Sequence, residues 1–485
     1  MNAPLRRLAV VVVLLFGALL VAATWIQVAS AQTLADKPGN ARTLYKEYSR
    51  QRGPILVAGS PVAQSVASTD FYKYQRTYAQ GRLYAPATGF YSILYGATGM
   101  EHAANDWLSG TSDQLFVRRI SDLLTGTQPS GASVELTIDP AAQKAAAKGL
   151  GNQRGAVVAL DPRTGDVLAL ASSPSYDPNL LAGHDTTKVR TNYNALLKDP
   201  ARPLVNRAIA GDLYPPGSTF KLVTAAAALE SGKYTPQSML HAPGVLQLPQ
   251  TTVGLPNDNG RPCGPGDQVS MTDALRISCN TAFGWLGMQL GGDALRAQAE
   301  KFGFNTKLTI PLKVTPSYFP ADLNAPQTAQ AAIGQYDVRA TPLQMAMVAE
   351  GIADRGVVMR PNLVRVVRGG DDLEVIDRPR PQAFSQAISA QTAADLTQMM
   401  IGVVESGTGT RAQIPGVTVA GKTGTAQNVK GQAPHAWFVC FAPAQDPQVA
   451  VAVVVEHGGQ LGSEASGGRV AAPIAKAVME AVLKK

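Results

Sequence analysis

The sequence predicts an α+β protein in three parts. These are an N-terminal transmembrane helix (residues 1–31), a small α+β pedestal domain (32–150), and a larger domain (151–485) in which an antiparallel sheet flanked by helices joins an all-α lobe. Three observations lead there. Leu8 to Val28 carries no charged residue, long enough for a helix to cross a bilayer. Apolar runs of strand length lie on both sides of a long helical block, which places the block as an insertion between strands of one sheet. A length of 485 residues supplies material for two or three domains.

In chain order, Arg6-Arg7 before the apolar run predict the N-terminus inside and the bulk of the chain outside. Ala29-Ser30-Ala31 resembles a signal-peptide cleavage site, but the run exceeds the usual 7–15 residues of a signal core, which favours a retained anchor. Residues 32–53 read as a polar stalk. The stretch to 150 is rich in tyrosine, with Tyr72 and Tyr74 at the alternate spacing of one strand face. Val134–Ile138 reads as a strand, and Asp139-Pro140 caps a helix from Ala141 to about Lys148.

Gly155–Leu160 and Val167–Ala171 are apolar without alternation, as in a strand buried on both faces; Asp161-Pro162-Arg163-Thr164-Gly165 between them is turn chemistry, so the pair forms a hairpin. A loop-rich, proline-containing stretch then runs from Pro174 to Ser218. From Ser218 to Gly356 the pattern is mainly helical, with Asp293 capping a helix to Phe302 and Thr341-Pro342 opening another to Ala353. Strands return after Met359, interrupted by a helix between Ala390 and Val404. Val417–Gln427, Ala436–Ala442 and Gln448–Glu456 follow as strands, and Ala471–Leu483 closes the chain as a helix.

Ser218 and Lys221 sit at the start of the alanine-rich run Leu222–Leu229, entered through Tyr214-Pro215-Pro216-Gly217. At i and i+3 on a helix they share a face, and the first turn offers free N–H groups and partial positive charge. A serine hydroxyl needs a base to become a nucleophile, and a lysine serves once desolvation or a nearby cation lowers its pKa. Alone the pair is a weak signal. Ser278-Cys279-Asn280 and Lys422-Thr423-Gly424-Thr425 follow in order, and the three motifs together are a strong one. Ser218 falls where the two lobes of the larger domain meet, where a cleft is expected.

A net charge of +8 and a pI of about 9.3 suit an anionic lipid or cell-wall surface; no basic run, zinc spacing or RNA-binding motif points to nucleic acid. The five histidines are scattered without ligand spacing, so neither a metal nor another cofactor is expected. Of the three cysteines, Cys263 and Cys279 flank a short Gly/Pro/Asp loop and form the closest pair. A disulfide closing such a loop contributes about 3 kcal/mol, and three reduced thiols fit the sequence as well. Cys440 lies in a strand-like run as a buried free thiol.

With these motifs, and with Arg52-Gly53, Asn206-Arg207-Ala208, Gly334-Gln335, Gly407-Thr408-Gly409 and His435-Ala436-Trp437-Phe438, nearly the whole chain resembles the class B penicillin-binding proteins. These are membrane-anchored D,D-transpeptidases of peptidoglycan synthesis, and the actinobacterial penicillin-binding protein A group is the nearest match. The resemblance implies a penicillin-binding domain with a β-lactamase-like fold. It makes Ser218 the nucleophile toward the penultimate D-Ala of a stem peptide, Lys221 its base, and Ser278 the relay to the leaving nitrogen. Among the substrate-binding residues Asn280, Lys422, Thr423, Gly424 and Thr425, Asn280 holds the peptide amide, Lys422 holds Ser278 in position and supplies positive potential, and Thr423 and Thr425 bind the substrate carboxylate. The backbone N–H groups of Ser218 and Thr425 form the oxyanion hole. β-Lactams enter the same site and remain as a slow ester. A role in cell division at the cytoplasmic membrane and a glycosyltransferase partner of the SEDS family are implied in the same way. Cys279 stands where related motifs carry Asp, and Gly351–Gly356 departs from the family's Ala-Asn-Gly-Gly. A D,D-carboxypeptidase, a β-lactamase and a non-catalytic division scaffold share these motifs as alternatives.

Overall fold

The computed structural model describes residues 2–29, 47–112, 130–370, 373–427 and 431–484. Most of the expected stalk and part of the Ala-x-Ala site lie outside the described residues. The N-terminal helix Asn2–Thr24 continues as a wider turn over Trp25–Ala29, and its apolar span Ala3–Gln27 is not buried by any of the other described residues. It is long and apolar enough to cross a membrane.

Two sheets organise the rest. The smaller has six strands in the order Val375–Asp377, Val364–Arg368, Ser133–Leu136, Ile55–Val57, Ser60–Ala67, Tyr74–Tyr78. Ile55–Val57 runs parallel to Ser133–Leu136, and the other pairings are antiparallel. Two of the six strands therefore return from far along the chain. The strand containing Tyr74 excludes Tyr72, which turns aside to pack on Tyr48 and His184. Against this sheet Glu101 is wholly buried between Arg52 and Arg76, at 2.6 and 2.7 Å.

The larger sheet is antiparallel throughout, in the order Ala420–Ala426, His435–Ala442, Val449–Val455, Gly155–Leu160, Val167–Ser173. Every residue of its three middle strands is buried, which accounts for their unbroken apolar runs. Helices Pro140–Leu150 and Gly467–Leu483 pack together on one face. The first is capped by Asp139, whose Oδ1 accepts from the N–H groups of Ala141 and Ala142. This packing places Pro140–Leu150 with the larger sheet. Helix Pro342–Ala353 covers the other face and links it to the helical lobe, built around Lys221–Glu230, Asn280–Leu290, Gly292–Lys301 and Ala390–Glu405.

The stretch expected as loop from 174 to 218 contains a 13-residue helix, Thr186–Lys198, capped by Asp185. Only Val189 of it is buried, so it lacks the apolar stripe by which a helix is recognised. Asp293 lies in the first turn of Gly292–Lys301 but makes no cap; that place falls to Gly291, whose φ of +87° suits glycine.

Candidate active site

The segment before Ser218 is held from several sides. Tyr214 and Ala340 exchange backbone hydrogen bonds at 3.0 and 2.8 Å, and Trp437 Nε1 donates to Pro215 O at 3.1 Å. Gly217 has φ +54° and donates to Gly334 O at 2.9 Å. A Cβ on Gly334 would lie 2.2 Å from Gly217 O, so the two backbones meet only because Gly334 has no side chain. Gly217–Phe220 then forms a tight 3-10 turn that runs into helix Lys221–Glu230, with Ser218 half-buried in that turn. Ser218 lines a cleft of about 480 Å³ together with Asp258, Asn280, Gln335 and Thr425.

Lys221 is fully buried, and its Nζ bonds to the second motif: 2.7 Å to Ser278 O, 2.8 Å to Asn280 Oδ1 and 3.4 Å to Ser278 Oγ. Ser278 sits between two helices in the left-handed region, φ +63°, a conformation that costs a serine about 1–3 kcal/mol. That geometry turns its hydroxyl between two amines, because Lys422 Nζ lies 2.8 Å from the same Oγ. Cys279 is bonded to Cys263, with the Cα atoms 6.1 Å apart, so the middle residue of this motif is tied to the neighbouring loop.

The third motif runs along the edge strand Ala420–Ala426. Lys422 is buried and also donates to Thr423 O at 2.8 Å, while the Thr423 and Thr408 hydroxyls are 2.6 Å apart. A Cβ on Gly424 would come within 2.9 Å of Thr219 Cγ2 and 3.0 Å of Trp437 Cβ; glycine here lets the strand lie directly on the turn that carries Ser218. Ser218, Lys221, Ser278, Asn280, Lys422, Thr423, Gly424 and Thr425 thus gather around one cleft.

Burial pushes the Lys221 amine well below the usual lysine range, and the nearby Lys422 adds to it. Burial also pushes Lys422 down, to about 7, against the opposing charge of Asp258. Among the described residues neither amine touches a carboxylate, so burial favours the neutral form of both, most strongly at Lys221, which supplies an amine able to take a proton.

Two residues absent from the motifs complete the site. Asn257 is buried, and its Oδ1 accepts from the N–H groups of Asn280 and Thr281 at 3.0 Å each, capping helix Asn280–Leu290 from outside. Its Nδ2 donates to Pro243 O, Arg261 O and Thr281 Oγ1. Asp258 Oδ1 accepts from Asn280 Nδ2 at 3.0 Å. Both belong to the turn that follows strand Gly254–Pro256, which nothing in the local sequence marks as part of a site; the Asn-Asp-Asn-Gly run signals only a turn.

Residues 155–480 match the penicillin binding protein transpeptidase domain, and residues 52–134 match the penicillin binding protein A dimerisation domain. The chain is 46% identical over 494 residues to the peptidoglycan D,D-transpeptidase PbpA of Mycolicibacterium smegmatis, covering all of both chains. Two solved structures of penicillin-binding protein A from M. tuberculosis, acyl-enzyme complexes with ceftriaxone and with penicillin G, are 44% identical. They superpose with TM-scores of 0.87 and 0.85, over 90% of this chain and 100% of each of those chains.

Proposed function

The chain belongs to the penicillin-binding protein transpeptidase family, and we infer from that premise that it is a peptidoglycan D,D-transpeptidase, acylated by stem peptides and by β-lactams at Ser218. The observation that carries the residue roles is the placement of Ser278 Oγ between two buried amines, at 3.4 and 2.8 Å. Lys221, neutral, takes the Ser218 proton as Oγ attacks the carbonyl of the penultimate D-Ala. The N–H groups of Ser218 and Thr425 stabilise the oxyanion, each such donor being worth roughly 3–4 kcal/mol. Ser278 passes the proton to the leaving D-Ala nitrogen, with Lys422 holding its hydroxyl. Asn280 Nδ2 faces the cleft to donate to the peptide carbonyl. Thr423 and Thr425 hold the terminal carboxylate. The third motif lies on a sheet edge, whose unpaired backbone groups suit an extended peptide. An amine from a second stem peptide then takes the acyl group.

In this reading the N-terminal helix anchors the protein in the cytoplasmic membrane with Arg6-Arg7 inside and the cleft outside. The pedestal joins it to the transpeptidase domain, with helix Pro140–Leu150 assigned to the latter. Division and a SEDS-family glycosyltransferase are its setting and partner. Intact mass after adding penicillin G, with Ser218→Ala as control, tests the reading. A mass increase of one drug molecule that persists for hours and is lost in the variant supports it. Rapid loss with hydrolysed drug in solution indicates a β-lactamase, and no adduct on folded protein indicates a scaffold. With a peptide donor, transfer only to water indicates a carboxypeptidase.

A further inference from the structure

We propose that Asp258 is a specificity-determining residue that recognises the cationic amine of the acceptor strand. The proposal rests on the transpeptidase reading and concerns the second half of that reaction. Among the described residues lining the cleft, Asp258 is the one with a charged side chain. Its side chain is exposed, yet its backbone is fixed: the preceding residue, Asn257, is buried and holds Pro243, Arg261, Asn280 and Thr281 through its side chain. Asp258 also follows the short strand Gly254–Pro256, which pairs with Val245–Gln247. A carboxylate on so rigid a mount meets an incoming group with little ordering cost.

The chemistry of the second step calls for such a group. The acceptor amine arrives as an ammonium ion, since an unperturbed alkylamine titrates near 10. It enters a site whose own buried groups are Lys221 and Lys422, which repel a cation whenever either is protonated. Asp258 is the negative group that bears on both lysines, and its contact with Asn280 Nδ2 places it beside the donor-binding amide. The ammonium loses one proton to the neutral Lys221 amine. Its lone pair attacks the ester carbonyl, a C–N bond forms and the C–Oγ bond breaks. Ser218 Oγ takes up a proton from the now protonated Lys221, and the second proton of the attacking nitrogen leaves to solvent.

The test forms the acyl-enzyme on the full-length protein from an N-acyl-D-alanyl thioester. Two nucleophiles then compete with water for it at neutral pH: methylamine, an alkylamine that is a cation there, and methanol, which is neutral. Asp258→Asn keeps an oxygen for Asn280 Nδ2 and removes the charge, and Asp258→Glu keeps the charge. The expected result is about a tenfold fall in the ratio of aminolysis to methanolysis for Asp258→Asn, through a raised KM for the amine, with Asp258→Glu restoring most of it. An unchanged ratio overturns the proposal. So does an equal loss for both nucleophiles, which would make Asp258 a support for Asn280 alone. Failure of the wild-type protein to be acylated at all would instead remove the underlying reading, so the two failures are distinguishable.

Discussion

Two buried charge sites in this protein are built on opposite plans. In the small domain Glu101 lies between Arg52 and Arg76, with Tyr78 Oη 3.1 Å from the same carboxylate. In the cleft Lys221 and Lys422 meet at one serine hydroxyl, and among the described residues no carboxylate touches either amine. Burial alone pushes the Glu101 carboxyl up, but the charges and hydrogen bonds of Arg76 and Arg52 outweigh it and leave the group below its usual range. Burial pushes both lysines down, and the charge of Lys422 adds to the effect at Lys221. The first site therefore stays ionised and can only hold the fold together. The second gives up a proton at neutral pH and can do chemistry. Pairing, rather than depth of burial, separates structure from reactivity here.

That contrast can be broken from either side. Lys221→Met should slow acylation by penicillin G by about 10²–10⁴-fold while the protein remains folded, measured as the second-order rate of adduct formation. A rate within tenfold of wild type would remove Lys221 as the base. Glu101→Gln should do the reverse. It strands two buried guanidinium groups and lowers unfolding free energy by about 3–5 kcal/mol in denaturant titration, with acylation retained by the folded fraction.

The pH responses sharpen the comparison, because both sites bind the extra proton in the unfolded chain but do so in different pH windows. Lys422 has a folded pKa near 7, below the ordinary lysine value. The unfolded chain binds the extra proton, so the cost of burying this amine is complete below pH 7 and fades as pH rises toward 10. Lys422→Met should accordingly gain stability of order 1–3 kcal/mol over wild type at pH 6, and lose that advantage near pH 10. Acylation should fall as pH drops and the Lys221 amine takes up a proton, at a pH well below the ordinary lysine range. Glu101, with its pKa lowered, contributes stability above the ordinary glutamate pKa that is lost as pH falls. Thermal melts of the variants across pH 4–10 decide both. The smallest effect is expected from Asn257→Ala. It removes the outside cap of helix Asn280–Leu290 and should cost about 1–2 kcal/mol, with a rise in the penicillin concentration needed for half-maximal acylation rate.

The residues of the cleft were legible from the three motifs because serine, lysine and asparagine in that order have a shared chemical use. The central strands were legible because burial on both faces leaves unbroken apolar runs. The pieces that escaped do so for physical reasons. Thr186–Lys198 is a surface helix with a single buried residue, so no period marks it. Asn257 and Asp258 reach the cleft in the turn after strand Gly254–Pro256, and a turn-like run of Asn, Asp and Gly gives no hint of its destination. Sequence left the state of Cys263 and Cys279 open; a bridge between them depends on the approach of two segments, which spacing alone does not determine. The pairing of Ser133–Leu136 with Val364–Arg368 was invisible for the same reason.

That last pairing bears on how the chain is made. The Ser133 hydroxyl bonds to the carbonyl of Arg368, 235 positions later. At a synthesis rate of about 5–20 residues per second, the free edge of Ser133–Leu136 waits roughly 10–50 s for its neighbour. During that interval the first three-quarters of the polypeptide carries an open, apolar strand edge, the kind of surface on which nascent chains associate wrongly. Biogenesis of this protein therefore depends on shielding one strand until a late segment closes the sheet. Shortened versions that stop before Val364 should accumulate as aggregates, however intact their N-terminal half.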